Sequence, residues 1–164
     1  FGGNKNDLVQ ARTEVNIPLL RKDFMIDEYQ FIEAKNWGAD IVLLIAAILT
    51  PQEVKTFTDL AQNLGLEVLL ELHGEEELNH VYHKVNMVGI NNRNLKTFEV
   101  DVEQSIRMAE KLGRDFIKVA ESGISNIDTL KHFRTNGFEA FLIGENYMKT
   151  ENPALACKDF IGQI

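Results

Sequence analysis

The most informative part of the sequence is Glu67-Val68-Leu69-Leu70-Glu71-Leu72-His73. Its apolar run is short enough for a strand, and runs with little polarity inside them are typical of parallel strands covered on both faces. A carboxylate at the end of such a run is costly unless it is paired or functional. Glu71 is therefore a candidate site residue as well as a marker of the strand end.

The same pattern recurs along the chain and predicts six strands separated by helices. The predicted strands are 17–20, 41–46, 67–72, 87–90, 116–120 and 140–143. The predicted helices are 27–37, 50–63, 101–112, 126–135 and 153–161. Tyr29, Ile32 and Ala34 are expected on one side of the first helix, and Thr50 with Pro51 indicates an N-cap followed by a first helical turn.

This repeat of strand and helix predicts an α/β fold with a parallel sheet. An open doubly wound sheet would be complete in 164 residues, whereas a (βα)8 barrel takes about 250, roughly 30 per unit. Polar groups follow five of the six predicted strands, but an open sheet needs them only beside its switch point. The sequence therefore favours a TIM (βα)8 barrel, of which residues 1–164 supply about six units as a single domain.

The composition narrows the class of ligand. The chain has a net charge of −8, which argues against a nucleic-acid surface but allows a locally positive pocket for a small anion. It has one cysteine, which excludes an intramolecular disulfide framework and fits a reducing compartment. No apolar stretch is long enough to span a bilayer. We expect a cytoplasmic protein without membrane or nucleic-acid partners.

Lys22 and Glu71 are the strongest candidates for acid–base chemistry. Lys22 shares strand parity with Leu20 and Phe24, so its side chain can point into a barrel mouth. A lysine placed there can donate a proton or form a Schiff base. The alternative for each residue is a purely structural position at the rim. Their occurrence on nearby strands favours a functional pair.

Other polar groups follow the later strands. The amides and guanidinium of Asn91-Asn92-Arg93 can grip a carboxylate or hydroxyls, although one asparagine could instead only make a turn. Gly123 and Gly144 follow the last two strands, where (βα)8 barrels commonly bind phosphate through backbone N–H groups.

Two histidines raise the question of a metal site. His80 and His83 are expected on one face of a solvated helix whose acidic start is Gly74-Glu75-Glu76-Glu77. They have no evident third ligand, so no metal site is predicted.

Motifs in a fixed order carry a family resemblance. The string Ile17-Pro18-Leu19-Leu20-Arg21-Lys22-Asp23-Phe24 closely resembles the third-strand motif of indole-3-glycerol-phosphate synthase. The further matches are Gly38-Ala39-Asp40, Leu43-Leu44-Ile45, Leu70-Glu71, residues 89–98 around Asn91-Asn92-Arg93, Val119-Ala120-Glu121-Ser122-Gly123-Ile124 and Phe141-Leu142-Ile143-Gly144-Glu145. The resemblance covers essentially the whole chain.

The resemblance implies a carboxy-lyase of tryptophan biosynthesis that needs no cofactor. Its substrate would be 1-(2-carboxyphenylamino)-1-deoxyribulose 5-phosphate, which closes a pyrrole ring and loses CO2 and water. Lys22 matches the family's general acid, Glu71 matches a glutamate that transfers protons during dehydration, and Asn91 matches a residue that orients the intermediate.

The resemblance also implies binding residues. Apolar walls around the anthranilate ring match Phe1, Phe24 and Leu43. The polar parts of the substrate match Arg93, Glu121 and Ser122, and the phosphate loops match Gly123, Gly144 and Glu145. Because adjacent strand residues point to opposite faces, Glu121 and Ser122 cannot both face a pocket from a regular strand.

The chain opens at Phe1-Gly2-Gly3 without an initiator methionine. By the resemblance, strands one and two of the barrel are missing, so we expect this polypeptide alone to be weak or inactive. Exposed barrel edges would invite association with another chain. Two rival interpretations stay open: an aldolase-like barrel that uses Lys22 as a Schiff-base former, and a non-catalytic phosphate-binding fragment.

Overall fold

The computed structural model describes residues 3–93 and 100–164. These residues pack as two compact units. The first runs to Leu72 and includes Glu76–Val88, and the second holds His73–Glu75 and the chain from Gly89 onward.

Strands and helices alternate along the described chain. The strands are β1 Leu20–Arg21, β2 Ile41–Ile45, β3 Glu67–Leu72, β4 Met87–Asn91, β5 Ile117–Glu121 and β6 Ala140–Leu142. The α-helices are α1 Lys5–Glu14, α2 Tyr29–Asn36, α3 Pro51–Asn63, α4 Val102–Lys111, α5 Ile127–Thr135, α6 Glu145–Met148 and α7 Pro153–Ile161. Two 3₁₀ segments occupy Ala46–Ile48 and Glu75–His80.

The six strands lie in one sheet in the order in which they occur in the chain. In the first unit, β1 pairs with β2 and β2 with β3, all parallel, with Ile45 opposite Glu71. In the second unit, β5 pairs in parallel with β6, with Glu121 opposite Leu142. A doubly wound sheet would reverse its strand order at a switch point. The chain order confirms the (βα)8-barrel prediction, with six strand–helix units supplied by this chain.

Buried apolar strands form the core of the first unit. Every residue of β2 and β3 after the first of each strand is buried. Helix α3 packs Val54, Phe57 and Ala61 in this core. The continuous burial along β2 and β3 is the property that the apolar runs predicted.

Strand β1 begins three residues later than predicted. Pro18 has no N–H to donate to a sheet, and the N–H of Leu19 goes instead to the Asp40 carboxylate at 2.8 Å. The Leu19 carbonyl accepts from the N–H groups of Asp40 and Ile41, and regular pairing starts at Leu20. Lys22 therefore stands directly after the strand.

Helix α1 is not among the predicted elements. It has no buried residue, so it carries no apolar stripe that periodicity could detect. Asn4 and Asp7 form a capping box at its start. Near its end, Arg12 donates to Asp40 at 2.7 Å and to the carbonyls of Val15 and Ile17. Polar contacts rather than core packing hold α1 against the rest of the first unit.

The predicted packing side of α2 is confirmed for Ala34 and wrong for Tyr29 and Ile32. Phe31 and Ala34 are its buried residues, whereas Tyr29 is 65% and Ile32 51% exposed. Residues three positions apart lie on the same face of a helix. Phe31 and Ala34 therefore share the buried face, whereas Tyr29 and Ile32 share a face that is exposed.

The predicted helix through His80 and His83 is also wrong. The 3₁₀ segment ends at His80, where the ring nitrogens lie 3.2 Å from the Glu77 carbonyl and 2.9 Å from the Leu49 carbonyl. His83 lies beyond that segment with its ring against Tyr82. Among residues 3–93 and 100–164, no group of three or more metal-binding side chains is found.

The predicted start of α3 is confirmed in detail. Thr50 accepts a hydrogen bond from the Glu53 N–H at 3.2 Å, and Glu53 accepts one from the Thr50 N–H at 2.7 Å. Pro51 occupies the first helical position.

Within the described chain, no helix combines the length and the apolar character that crossing a bilayer requires.

Candidate active site

In the first unit, the strand ends bring Lys22 and Glu71 into contact. Lys22 follows β1, and Glu71 is the penultimate residue of β3. The Lys22 Nζ lies 3.2 Å from Glu71 Oε2. The side chain of Glu71 is 5% exposed and that of Lys22 is 49% exposed. A buried carboxylate is thus paired with an ammonium group that solvent and a ligand can reach.

This asymmetry matters for chemistry more than for stability. An ion pair with a half-exposed partner contributes only about 0–1 kcal/mol to stability. A lysine that stays accessible can donate a proton to a bound molecule, and the neighbouring carboxylate can accept or relay one. The geometry therefore suits acid–base work at the carboxyl ends of β1 and β3.

Arg21, the residue before Lys22, is a buried charged residue that was not among the predicted site residues. It is buried, and its guanidinium contacts Asp23 at 3.0 Å, Glu33 at 3.4 Å and the carbonyl of Gln30 at 2.7 Å. The guanidinium also lies 4.4 Å from the ring centre of Trp37. These contacts attach the residue before Lys22 to α2. Strand parity was the available signal, since Arg21 has the opposite parity to Lys22.

The predicted apolar site residues lie in different environments. Phe24 is exposed two positions after Lys22, with its carbonyl bonded to Gln30 Nε2 at 2.9 Å. Leu43 is buried in the middle of β2, beside Leu69 of β3. Phe1 and positions 94–98 of the Asn-Asn-Arg motif lie outside the described residues.

In the second unit, Asn91 ends β4 and Asn92 follows it, and the two side chains make different contacts. Asn91 Oδ1 accepts from the Arg93 N–H at 3.1 Å, which is the kind of turn contact left open as the alternative for one of the two asparagines. Asn92 instead reaches the end of β5, where its Nδ2 donates to the Ser122 carbonyl at 2.7 Å and its N–H to the Glu121 carbonyl at 2.8 Å.

Arg93 forms an ion pair with Glu145 at the start of α6. The two side chains approach to 2.5 Å, and Arg93 is about one-third exposed while Glu145 is more than half exposed. Glu145 directly follows Gly144, the N-cap of this short helix. The Glu145 carboxylate is thus directed at a guanidinium, and any phosphate contact from this loop has to come from other groups.

The backbone at the end of β5 changes direction between Glu121 and Ser122. Glu121 is its last residue and is buried, whereas Ser122 leaves the strand with a φ of +64° and Gly123 continues with a φ of +70°. A Cβ atom on Gly123 would lie 2.4 Å from Cγ1 of Val100, so this position requires glycine both for its backbone and for space. The left-handed turn separates the directions of the two side chains.

Chain-ordered strands that alternate with helices define a protein of the (βα)8-barrel class, with candidate site residues at strand ends. The model of the family "Indole-3-glycerol phosphate synthase" matches residues 1–160. A synthase of that name from Bacteroides thetaiotaomicron is 51% identical over 164 residues, all of this chain and 63% of the relative. Another from Koribacter versatilis is 42% identical over 163 residues, 99% of this chain and 63% of the relative.

The chain belongs to the indole-3-glycerol phosphate synthase family. It spans 63% of the length of these two relatives. The motifs quoted from the sequence had pointed to this family, and the comparison confirms it.

Solved structures share the fold at low sequence identity. The 3-hexulose-6-phosphate synthase from Salmonella typhimurium has a TM-score of 0.78 at 14% identity, covering 95% of this chain and 77% of that one. The tryptophan synthase A-subunit from Pyrococcus furiosus has a TM-score of 0.75 at 17% identity, covering 99% of this chain and 75% of that one. At this identity the likeness supports the fold alone.

Proposed function

We propose that this chain carries the catalytic acid–base pair and the phosphate loops of an indole-3-glycerol-phosphate synthase. The substrate is 1-(2-carboxyphenylamino)-1-deoxy-D-ribulose 5-phosphate, and the products are indole-3-glycerol phosphate, CO2 and water. The observation that carries the proposal is the contact of Lys22 with Glu71 at 3.2 Å, at strand ends of a chain that belongs to this family.

Lys22 is the general acid of ring closure. The ring carbon that bears the carboxylate attacks the ketone carbon, and the Lys22 ammonium group donates its proton to the ketone oxygen. Breaking the bond to the carboxylate then releases CO2 and returns the electron pair to the ring. The accessibility of Lys22, 49% exposed, supports this role because the donor must reach a ligand.

Glu71 and Asn91 serve the later steps. Loss of the new hydroxyl as water, with a proton moved through Glu71, completes the pyrrole ring. The burial of Glu71 and its contact with Lys22 support a proton relay rather than a solvated surface carboxylate. Asn91 orients the intermediate from the end of β4, and its turn contact with the Arg93 N–H gives its side chain a defined position.

The remaining strand ends bind the substrate. Phe24 and Leu43 line the aromatic ring, and Phe1 is assigned with them by the family resemblance. Arg93, Glu121 and Ser122 contact the polar groups, while Gly123, Gly144 and the loop that begins α6 at Glu145 receive the phosphate. A left-handed turn at Ser122 and Gly123 supports this assignment, because backbone N–H groups at such turns can approach an anion closely.

This assignment makes the ligand a small anionic sugar phosphate, with no metal or cofactor in the reaction. We place the enzyme in the cytoplasm, where an intermediate of amino-acid synthesis would be made and consumed.

The test compares Lys22→Ala with Lys84→Ala. Lys84 is a matched control because its Nζ also pairs with a carboxylate, Asp59, at 2.8 Å and is similarly exposed. Formation of indole-3-glycerol phosphate is followed for the chain and for a fusion of the chain to the part of the Bacteroides relative that it does not cover. We expect Lys22→Ala to lower kcat about 10²–10⁴-fold in the active form and Lys84→Ala to leave it unchanged. Equal turnover in the two variants would exclude Lys22 as the acid.

A further inference from the structure

Asn92 is a buried polar residue to which the proposed chemistry gives no task. It is 4% exposed and lies just after β4. Its carbonyl accepts from the Asp101 N–H at 3.0 Å, and its own N–H donates to the Glu121 carbonyl at 2.8 Å. The side chain of Asn92 reaches Ser122, the residue after Glu121, and its Nδ2 donates to the Ser122 carbonyl at 2.7 Å. Asn92 thus connects the end of β4 to the end of β5.

The contact at Ser122 coincides with an unfavourable backbone conformation. Ser122 is the only residue other than glycine with a positive φ in the described chain, at +64°. Steric contact between Cβ and the backbone disfavours this conformation for serine, so it persists only where the surroundings hold it. The orientation of the Ser122 carbonyl depends on ψ of Ser122 and φ of Gly123. A donor fixed on that oxygen therefore restrains both angles.

The chemistry of the amide makes the restraint specific. The Ser122 carbonyl oxygen can only accept a hydrogen bond, so the nitrogen end of the Asn92 amide must face it. At the next residue, Val100 occupies the space where a Cβ of Gly123 would stand. The turn is thus contacted by the Asn92 donor at Ser122 and by the Val100 side chain at Gly123.

We propose that Asn92 is a positioning residue that holds the Ser122–Gly123 turn in its left-handed conformation and thereby sets the phosphate affinity of the β5 end. The effect on affinity rests on the proposed function, which assigns phosphate to Gly123. A turn fixed before binding loses little conformational freedom when the anion arrives, whereas a mobile turn pays for its ordering.

The test uses the 164-residue chain with inorganic phosphate as the probe. Asn92→Asp removes the donor and places an oxygen against the Ser122 carbonyl, and Asn92→Ala removes the side chain without adding a buried charge. Asn136→Asp is the matched control, because Asn136 Nδ2 also donates to a backbone carbonyl, that of His132, at 2.8 Å. Backbone NMR shifts of Ser122 and Gly123 report their φ and ψ angles, and the amide shift of Gly123 follows the phosphate titration.

We expect Asn136→Asp to behave as the parent chain in both measurements. Both Asn92 variants should lose the left-handed shifts of Ser122 and bind phosphate about tenfold more weakly. Adding Ser122→Gly to Asn92→Ala should restore part of the affinity, since glycine adopts a positive φ without steric cost.

Left-handed Ser122 shifts and unchanged phosphate affinity in the Asn92 variants would overturn the proposal. If Asn92→Asp does not fold, the Ser122 shifts and the phosphate affinity of Asn92→Ala test the proposal. A parent chain whose Gly123 amide does not respond to phosphate would instead refute the phosphate assignment of the proposed function, and the Ser122 shifts would still decide whether Asn92 holds the turn.

Discussion

Lys22 and Glu71 are 49 positions apart in the sequence and in direct contact in the fold. Each could be singled out from the sequence because a charged residue at the end of an apolar run is costly unless it is used. Their contact could be expected only once β1 and β3 were placed in one parallel sheet. The distance and the difference in exposure depend on packing around the strand ends, which local sequence does not encode.

Arg21 is a buried charged residue that local sequence patterns did not predict. Lys22 was the predicted site residue of its motif, although Arg21, its neighbour of opposite parity, is the more buried of the two. Side-chain parity could have indicated this burial. The groups that contact Arg21 could not be found from a local pattern, because Glu33 lies in α2 and Trp37 directly after it.

Replacing Arg21 with methionine should destabilise the fold by about 1–3 kcal/mol, because two carboxylates and a carbonyl lose a buried donor. Arg107→Met is the matched control, since Arg107 is exposed and lies 3.9 Å from its only described ionic partner, Asp101. It should change stability by less than about 0.5 kcal/mol. Urea unfolding of both variants measures the difference, and equal losses would contradict the role given to Arg21.

Glu145 was assigned to the phosphate loop, and its carboxylate is paired with Arg93. Glu145→Gln removes a negative charge beside the proposed anion site and releases the guanidinium. We expect inorganic phosphate to bind about twofold to fivefold more tightly, as for a partly exposed charge. NMR titration of the Gly123 amide measures this change.

Glu103→Gln is the control for this experiment, because Glu103 is an exposed carboxylate of the second unit paired with His132 at 3.0 Å. It should leave the phosphate affinity unchanged. Weaker binding by Glu145→Gln than by the control would show that Glu145 supports the anion site rather than opposing it.

At the scale of elements, prediction succeeded where an element has an apolar face and explicit caps. Helix α3 has both, and its start was placed correctly at Thr50 and Pro51. Helix α1 has neither a buried residue nor an apolar stripe, and it was not predicted. Strand β1 was placed too early because Pro18 and the Asp40 side chain delay its pairing, and the Asp40 contact comes from a distant part of the chain.

The capping box of α3 gives a pH-dependent prediction. The backbone and then the side-chain hydrogen bonds from Thr50 lower the pKa of Glu53 from its ordinary value of 4.5. A carboxylate with a lowered pKa stabilises the folded state fully above its ordinary pKa, and this contribution is lost as the pH falls through the lowered pKa.

The parent chain should therefore be more stable than Glu53→Gln at neutral pH, and the difference should disappear as the pH falls below 4.5. Thermal unfolding of both proteins across this range measures it. A difference that persists unchanged into strongly acidic solution would show that the carboxylate charge has no part in the cap.

At the scale of the whole molecule, strand order was the decisive property. Polar groups after five strands favoured a barrel over a doubly wound sheet, and the chain-ordered sheet bears this out. The acidic total charge of −8 gave no indication of the proposed anion site, because such a site depends on the few cations placed locally at strand ends. Lys22 in the first unit and Arg93 in the second are two such cations, and both are partly exposed.

The measurement that tests the proposed synthase activity most directly is the product balance with 1-(2-carboxyphenylamino)-1-deoxy-D-ribulose 5-phosphate. It is made on the fusion of this chain to the uncovered part of the Bacteroides relative, with CO2 and indole-3-glycerol phosphate quantified together and borohydride added in a parallel sample. We predict equimolar release of both products and no borohydride-trapped adduct on Lys22. Absence of the indole product, or a trapped imine on Lys22, would contradict the account.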